Sequence, residues 1–206
     1  HETIKDFHDT KKRFQVLKDA VEKDCCHRAA SVKEEIAFAL QHEDLAGIFG
    51  KLLENGEVPL RVTHNDTKLN NIMIDLETGK GICVVDLDTV MPGLAMNDFG
   101  DAIRFGSSTA LEDEKDLSKV SCDMELYEIY VKGFLESCGD KLNAREIEML
   151  PMGAKVMTYE CGIRFLTDYL EGDHYFKIDR EDHNLDRCRT QFKLVADMEQ
   201  KWEQMQ

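Results

Sequence analysis

Three short apolar runs, Leu60 to Thr63, Asn71 to Asp75 and Gly81 to Asp86, interrupt a chain whose other apolar residues recur at three- and four-residue steps. The second and third runs are joined by Leu76-Glu77-Thr78-Gly79-Lys80, a glycine-bearing connection of hairpin length. Two such strands cannot bury a core by themselves, so they have to rest on helices. Helices segregated from one minor sheet define the α+β class.

The helical periods on either side are clear. Phe7, Phe14, Leu17, Ala20 and Val21 predict a helix over residues 3 to about 24. Ser31, with Glu34 three residues on, predicts a capping box opening a second helix that runs to Asn55-Gly56. Pro92-Gly93 marks a loop and Asp98 to Phe105 a short helix. Helical segments follow near 116–138, 143–171 and 184–205, separated at Gly139, Gly172 and the charged stretch Asp179 to His183. With 42% hydrophobic and 33% charged residues, the 206-residue chain is an ordinary globular sequence with material for one sizeable core. We read 1–206 as one unit, with a helical segment (1–56), a loop-and-hairpin segment (57–106) and a second helical segment (107–206).

The hairpin region concentrates acidic and amide residues. Asp66 follows a strand into a loop, where its carboxylate can accept the proton of an attacking hydroxyl; an Asp there also commonly closes an Asx-turn. Asn71 opens the next strand and offers an amide oxygen, a hard neutral ligand for magnesium, or a turn closure. Asp86 ends the apolar run Ile82-Cys83-Val84-Val85, which predicts burial, and a buried carboxylate needs a partner, either magnesium or backbone N–H groups. Asp88 lies on the same side if the strand continues, and would join the metal or the substrate. His64 reads as a structural imidazole that bonds backbone and fixes the loop. In sequence order these residues spell H-x-D-x-x-x-x-N and then an acidic strand end, the spacing of a kinase catalytic loop and the magnesium-binding aspartate behind it.

The run Val62 to Ile72, then Val84-Val85-Asp86-Leu87-Asp88 and Asp98-Phe99-Gly100-Asp101, resembles the aminoglycoside phosphotransferase and choline kinase superfamily. Leu87 to Gly93, Gly100-Asp101-Ala102-Ile103-Arg104 and Arg164 to Asp173 are similar to its N-acetylhexosamine 1-kinase branch. The resemblance implies a protein-kinase-like fold, ATP as phosphoryl donor, Mg2+, and an N-acetylhexosamine acceptor phosphorylated at its anomeric hydroxyl. It implies Asp66 as catalytic base, Asn71 and Asp86 as magnesium ligands, Asp98 as a brace of the catalytic loop, and Arg164 and Tyr175 as sugar contacts. Kinases of this fold cover ATP with a second, strand-rich lobe carrying a lysine. Residues 1–56 read as helices, and Gly47, Gly50 and Gly56 form no phosphate loop. The expectation is therefore a C-terminal lobe alone, lacking the N-terminal nucleotide lobe and inactive without it.

Lys and Arg number 26 against 41 Asp and Glu, a net charge of −15, which argues against nucleic acid and anionic membranes as partners. Seven cysteines without a C-x-x-C pair predict reduced thiols, mostly small core residues such as Cys83 and Cys161, and a cytoplasmic protein. The competing readings are a kinase for an amino alcohol or aminoglycoside, a pseudokinase or binding module, and a metal-dependent hydrolase. Intact Asp66, Asn71 and Asp86 weigh against the second. The third lacks a second metal set or a nucleophile beside a base.

Overall fold

A computed structural model describes residues 1–206 and is α+β. Helices α1 (Thr10–Lys23), α2 (Lys33–Gln41), α3 (Glu43–Ala46) and α4 (Ile48–Glu54) precede four short strands. These are β1 (Arg61–Thr63), β2 (Ile72–Ile74), β3 (Gly81–Val84) and β4 (Met91–Gly93). Helices α5 (Ala95–Gly106), α6 (Met124–Cys138), α7 (Ala144–Glu148), α8 (Leu150–Glu171), α9 (His183–Gln200) and α10 (Trp202–Met205) complete the chain. The core forms around α8, whose Tyr159, Ile163, Leu166 and Leu170 are fully buried among residues of α1, α5 and α9.

Backbone proximity, rather than large side chains, sets the spacing of α5 and α8. A Cβ on Gly100 would lie 2.2 Å from the Gly153 carbonyl oxygen, and one on Gly153 would lie 2.3 Å from that of Met96. Only glycine at both positions permits this approach, which carries the first turns of α5 under the loop that follows β1.

Several local expectations are corrected. The first helix starts at Thr10, because the Asp9 carboxylate caps the Lys12 N–H at 3.0 Å and leaves Phe7 and His8 outside the helix. The helix after Ser31 is three pieces, α2, α3 and α4, broken at His42 and Gly47. Ser31 forms no capping box; its hydroxyl donates to the Arg28 carbonyl at 2.7 Å. A capping box exists instead at Asn143 and Glu146. Pro151, at the start of α8, separates that helix from α7 where the periodicity predicts one continuous helix, since its ring excludes a preceding helical turn. Residues 116–123 are mostly non-helical and α6 begins only at Met124, capped by Asp123.

Pro92-Gly93 is not a loop but belongs to β4, antiparallel to β1 with Thr63 opposite Met91 and Arg61 opposite Gly93. A Cβ at Gly93 would fall 2.2 Å from Thr63 Oγ1, so this pairing requires glycine. β2 and β3 form a separate antiparallel pair, with Ile72 opposite Val84 and Met73 opposite Cys83. That hairpin is not buried. Ile82 is 63% exposed, Val84 51%, and Cys83 is exposed with them, against the expectation of a core strand and a core thiol. Cys122 and Cys188 are the buried thiols. No helix is long and apolar enough to cross a membrane.

Candidate active site

The loop leaving β1 turns at Asn65, held in the left-handed region at φ 65°. An L-residue stays there only if its surroundings fix it, and every polar group of Asn65 is engaged. Its N–H donates to Asp98 Oδ1 at 2.7 Å, and its side-chain oxygen accepts the Thr63 hydroxyl at 2.9 Å. Its Nδ2 donates to the carbonyls of Thr63 and Thr89. Its own carbonyl oxygen lies 2.8 Å from His8 Nε2. The other oxygen of Asp98 accepts the His64 N–H at 2.8 Å, and the Thr67 hydroxyl donates to the Asp98 carbonyl. Asp98 thus ties the N-terminus of α5 to three residues of the loop. Its burial raises its pKa, and the two N–H donors pull in the opposite direction.

Behind the loop lies an ion pair that no motif announces. His8 Nδ1 is 2.7 Å from Glu160 Oε1, and the Thr10 hydroxyl donates to Glu160 Oε2 at 2.5 Å. With a carboxylate on one ring nitrogen and a carbonyl on the other, His8 has two acceptors to satisfy and does so as the imidazolium. Burial would lower its pKa, but the charge and hydrogen bond of Glu160 raise it overall. Burial would raise that of Glu160, and His8 with Arg164 and Thr10 keeps it low. A signal for the pair does exist in the sequence. A glutamate at position 160 sits on the helix face shared by Val156, Ile163 and Met157, and a charge on such a face needs a partner.

The residues expected to carry chemistry gather around this braced loop. His64 Nε2 donates to the Val85 carbonyl at 3.0 Å and its Nδ1 accepts the Asp66 N–H at 3.3 Å, linking the loop to the end of β3. Asp66 Oδ2 accepts from Lys68 Nζ at 2.8 Å and from Asn71 Nδ2 at 2.9 Å, and the same Asn71 amide donates to the Asp66 carbonyl at 2.8 Å. With its NH2 group committed, the orientation of the Asn71 amide is fixed and its oxygen is left for a ligand. The Val85 N–H donates to the Asn71 carbonyl at 2.9 Å, so Asp86 follows directly on the residue paired with Asn71.

Asp86 departs from expectation in its surroundings. The strand stops at Val84, and Asp86 stands exposed in the left-handed region, φ 62° and ψ 54°, without a capping bond or an ion-pair partner. Residues Leu87–Thr89 form a 3-10 turn, so strand alternation does not bring Asp88 to the same side; Asp88 is exposed. No group of three or more His, Cys, Asp or Glu side chains is gathered for a metal. The Asn71 amide oxygen and the Asp86 carboxylate, two hard oxygens, do fit a magnesium ion that takes its remaining ligands from water and phosphates.

Asp66 opens onto a cleft of about 410 Å3 that also holds Phe7, Arg164 and Tyr175. The Arg164 guanidinium lies over the rings of Phe7, Tyr175 and Phe176 at 5.4, 5.8 and 5.5 Å, and its Nη2 donates to the Tyr175 hydroxyl at 3.4 Å. Glu160 makes no ion pair with Arg164, because His8 and Thr10 occupy its carboxylate. Tyr175 is 67% exposed and is not a core aromatic. Its segment is held by Asp168, which accepts the N–H groups of His174, Tyr175 and Phe176 at 2.8 to 2.9 Å. A larger cleft of about 560 Å3 lies behind Asn65, between α4 and β4, and does not include Asp66.

The loop thus holds an acid between two hydrogen-bonded partners, Lys68 and Asn71, with the hairpin behind it and a cleft in front. The model of the phosphotransferase enzyme family, APH, matches residues 1–127, and the chain belongs to that family. The match spans α1 through the start of α6 and includes the catalytic loop and hairpin; Arg164 and Tyr175 lie beyond it.

Proposed function

We propose that this chain is the acceptor- and magnesium-binding lobe of an ATP-dependent small-molecule kinase that phosphorylates a sugar hydroxyl. The observation that carries this reading is the opening of Asp66 onto the same cleft as Arg164 and Tyr175. The acceptor hydroxyl donates to the free Oδ1 of Asp66 and passes its proton there as the bond to phosphorus forms. Lys68 and the Asn71 amide, both on Oδ2, fix the carboxylate's orientation. Arg164 offers a planar donor fork to ring oxygens, and Tyr175 an apolar face with a hydroxyl. Asn71 and Asp86 would hold magnesium, which neutralises charge on the transferring phosphates.

The charge of the cleft favours a neutral acceptor over an amino alcohol or aminoglycoside. In a chain with an acidic excess of 15, its lining gathers Lys68, Arg104, Arg164, Lys177 and Arg187. Of its acids, Glu160 is paired with His8, Asp66 with Lys68, and Asp101 and Glu112 with Arg104, which leaves Arg164 and Lys177 without an acidic partner. A cationic acceptor meets repulsion there. The anomeric hydroxyl of an N-acetylhexosamine is the acceptor we assign. The apolar face of the hairpin, with Ile72, Ile74, Ile82 and Val84 exposed, supports a further lobe that closes on the nucleotide. Residues 1–206 alone are then inactive. Seven free thiols support a cytoplasmic setting.

ADP release by the full-length protein, assayed across N-acetylglucosamine, N-acetylgalactosamine, choline and kanamycin, tests the reading. Turnover with the sugars is expected. Turnover with choline or kanamycin and none with sugars would contradict it.

A further inference from the structure

One polar pair in the cleft is left incomplete by the chain. Asp101, on α5, is 5% exposed and lines the cleft that opens on Asp66. Its partner is Arg104, one helical turn on. An Arg fork normally meets both oxygens of a carboxylate. Here Nε and Nη2 of Arg104, at 3.0 and 2.7 Å, converge on Oδ1 alone, while Nη1 donates to Glu112 Oε1 at 2.7 Å. Oδ2 of Asp101 is buried with no hydrogen-bond partner. Arg187, another residue of this lining, carries a second orphan: its Nε is buried without a hydrogen bond and 3.8 Å from Glu112 Oε2.

A buried carboxylate oxygen without a donor is costly, and a ligand that supplies the donor removes that cost. The donor is not a cation, because Arg104 already holds the other oxygen of this carboxylate and Arg187 lines the same cleft. Nor does it belong to an anion, which Asp101 and Glu112 would repel. A neutral hydroxyl fits, since it donates one hydrogen bond and accepts another. We propose that Asp101 determines acceptor specificity, Oδ2 accepting a hydrogen bond from one hydroxyl of a neutral polyhydroxylated acceptor, to which Arg187 Nε donates. Arg104 is the positioning residue that fixes the carboxylate through Oδ1. The inference rests on the sugar-kinase reading above and identifies a recognition contact separate from the reacting hydroxyl at Asp66.

The test is kcat/KM of the full-length protein for its acceptor and a series of monodeoxy analogues, in wild type and in Asp101→Asn, with thermal melting measured alongside. Asn keeps an oxygen for Arg104 and changes only the charge and one acceptor. Wild type is expected to lose about 10- to 100-fold for one non-reacting hydroxyl, the range of a hydrogen bond to a charged group. Asp101→Asn should reduce that discrimination to about threefold or less, with KM for ATP unchanged. An equal loss on every analogue, or an unaltered profile, would overturn the proposal. If Asp101→Asn does not fold, Arg187→Gln decides: altered preference at the same hydroxyl supports the contact, and an unchanged profile overturns it. Wild type that phosphorylates no neutral polyol sinks the sugar-kinase reading itself, an outcome distinct from loss of this one contact.

Discussion

The side-chain amide of Asn71 donates two hydrogen bonds to a single residue, one to the Asp66 carbonyl at 2.8 Å and one to Asp66 Oδ2 at 2.9 Å. This double contact makes the proposed base and the proposed metal ligand one rigid unit. Asn71→Ala removes the clamp and the oxygen together. In the full-length protein it should lower kcat by about 100-fold or more, since misplacement of a reacting group alone costs that much. A magnesium titration should show a raised requirement as well. Near wild-type kcat with an ordinary magnesium dependence would separate Asn71 from both roles.

The imidazolium of His8 is the most consequential buried charge behind the loop. Glu160 is 1% exposed, and removing its partner strands a carboxylate, which costs about 3–5 kcal/mol. His8→Ala should destabilise the fold by that order in denaturant unfolding. A loss below about 1 kcal/mol would mean that the pair carries little.

The same pair gives stability a pH dependence. The folded pKa of His8 is raised above 6.5, so its contribution is complete below that pH and fades as pH rises through the folded value. The folded pKa of Glu160 is lowered below 4.5, so its contribution is complete above that pH and fades as pH falls through the folded value. The stability difference between wild type and His8→Ala should therefore be greatest between about pH 4.5 and 6.5 and shrink on the alkaline side. Melting curves across pH check this; a difference growing steadily above about pH 7 would contradict it.

Gly100 and Gly153 set the seat of α5 against α8. A methyl group at Gly100 would overlap the Gly153 carbonyl, and Gly100→Ala should cost about 1–3 kcal/mol or more. Gly133, on α6, has open space around it, with nothing within 4 Å of where a Cβ would stand, and Gly133→Ala should stabilise by up to about 1 kcal/mol through helix propensity. Chemical denaturation of the two variants tests the contrast directly.

Much of the candidate site's arrangement is legible in the sequence because its residues are contiguous. His64, Asp66, Asn71 and Asp86 lie within one loop and hairpin, and local spacing alone places them near one another. Asp98 is identifiable only through resemblance, since its contacts with His64 and Asn65 cross more than thirty residues. The apolar face around Glu160 calls for a partner, but nothing local names His8, 152 residues away, as that partner. The single helix expected after Ser31 fails for a local reason: apolar periodicity continues across His42 and Gly47 although the helix breaks at both. The hairpin's apolar run marks a chemical preference for burial, yet nothing in residues 1–206 covers it. Strand β4 is hidden because Pro92-Gly93 has the composition of a turn, and its pairing depends on Thr63 across the loop.

The most direct test is acceptor-dependent ADP formation by the full-length protein carrying Asp66→Asn, with acceptor and ATP binding measured in parallel. Asn preserves the shape and removes the proton acceptor. Loss of about 100- to 10,000-fold in kcat with both affinities retained is the predicted result. Turnover within about threefold of wild type would contradict Asp66 as the base and the phosphoryl-transfer account built on it.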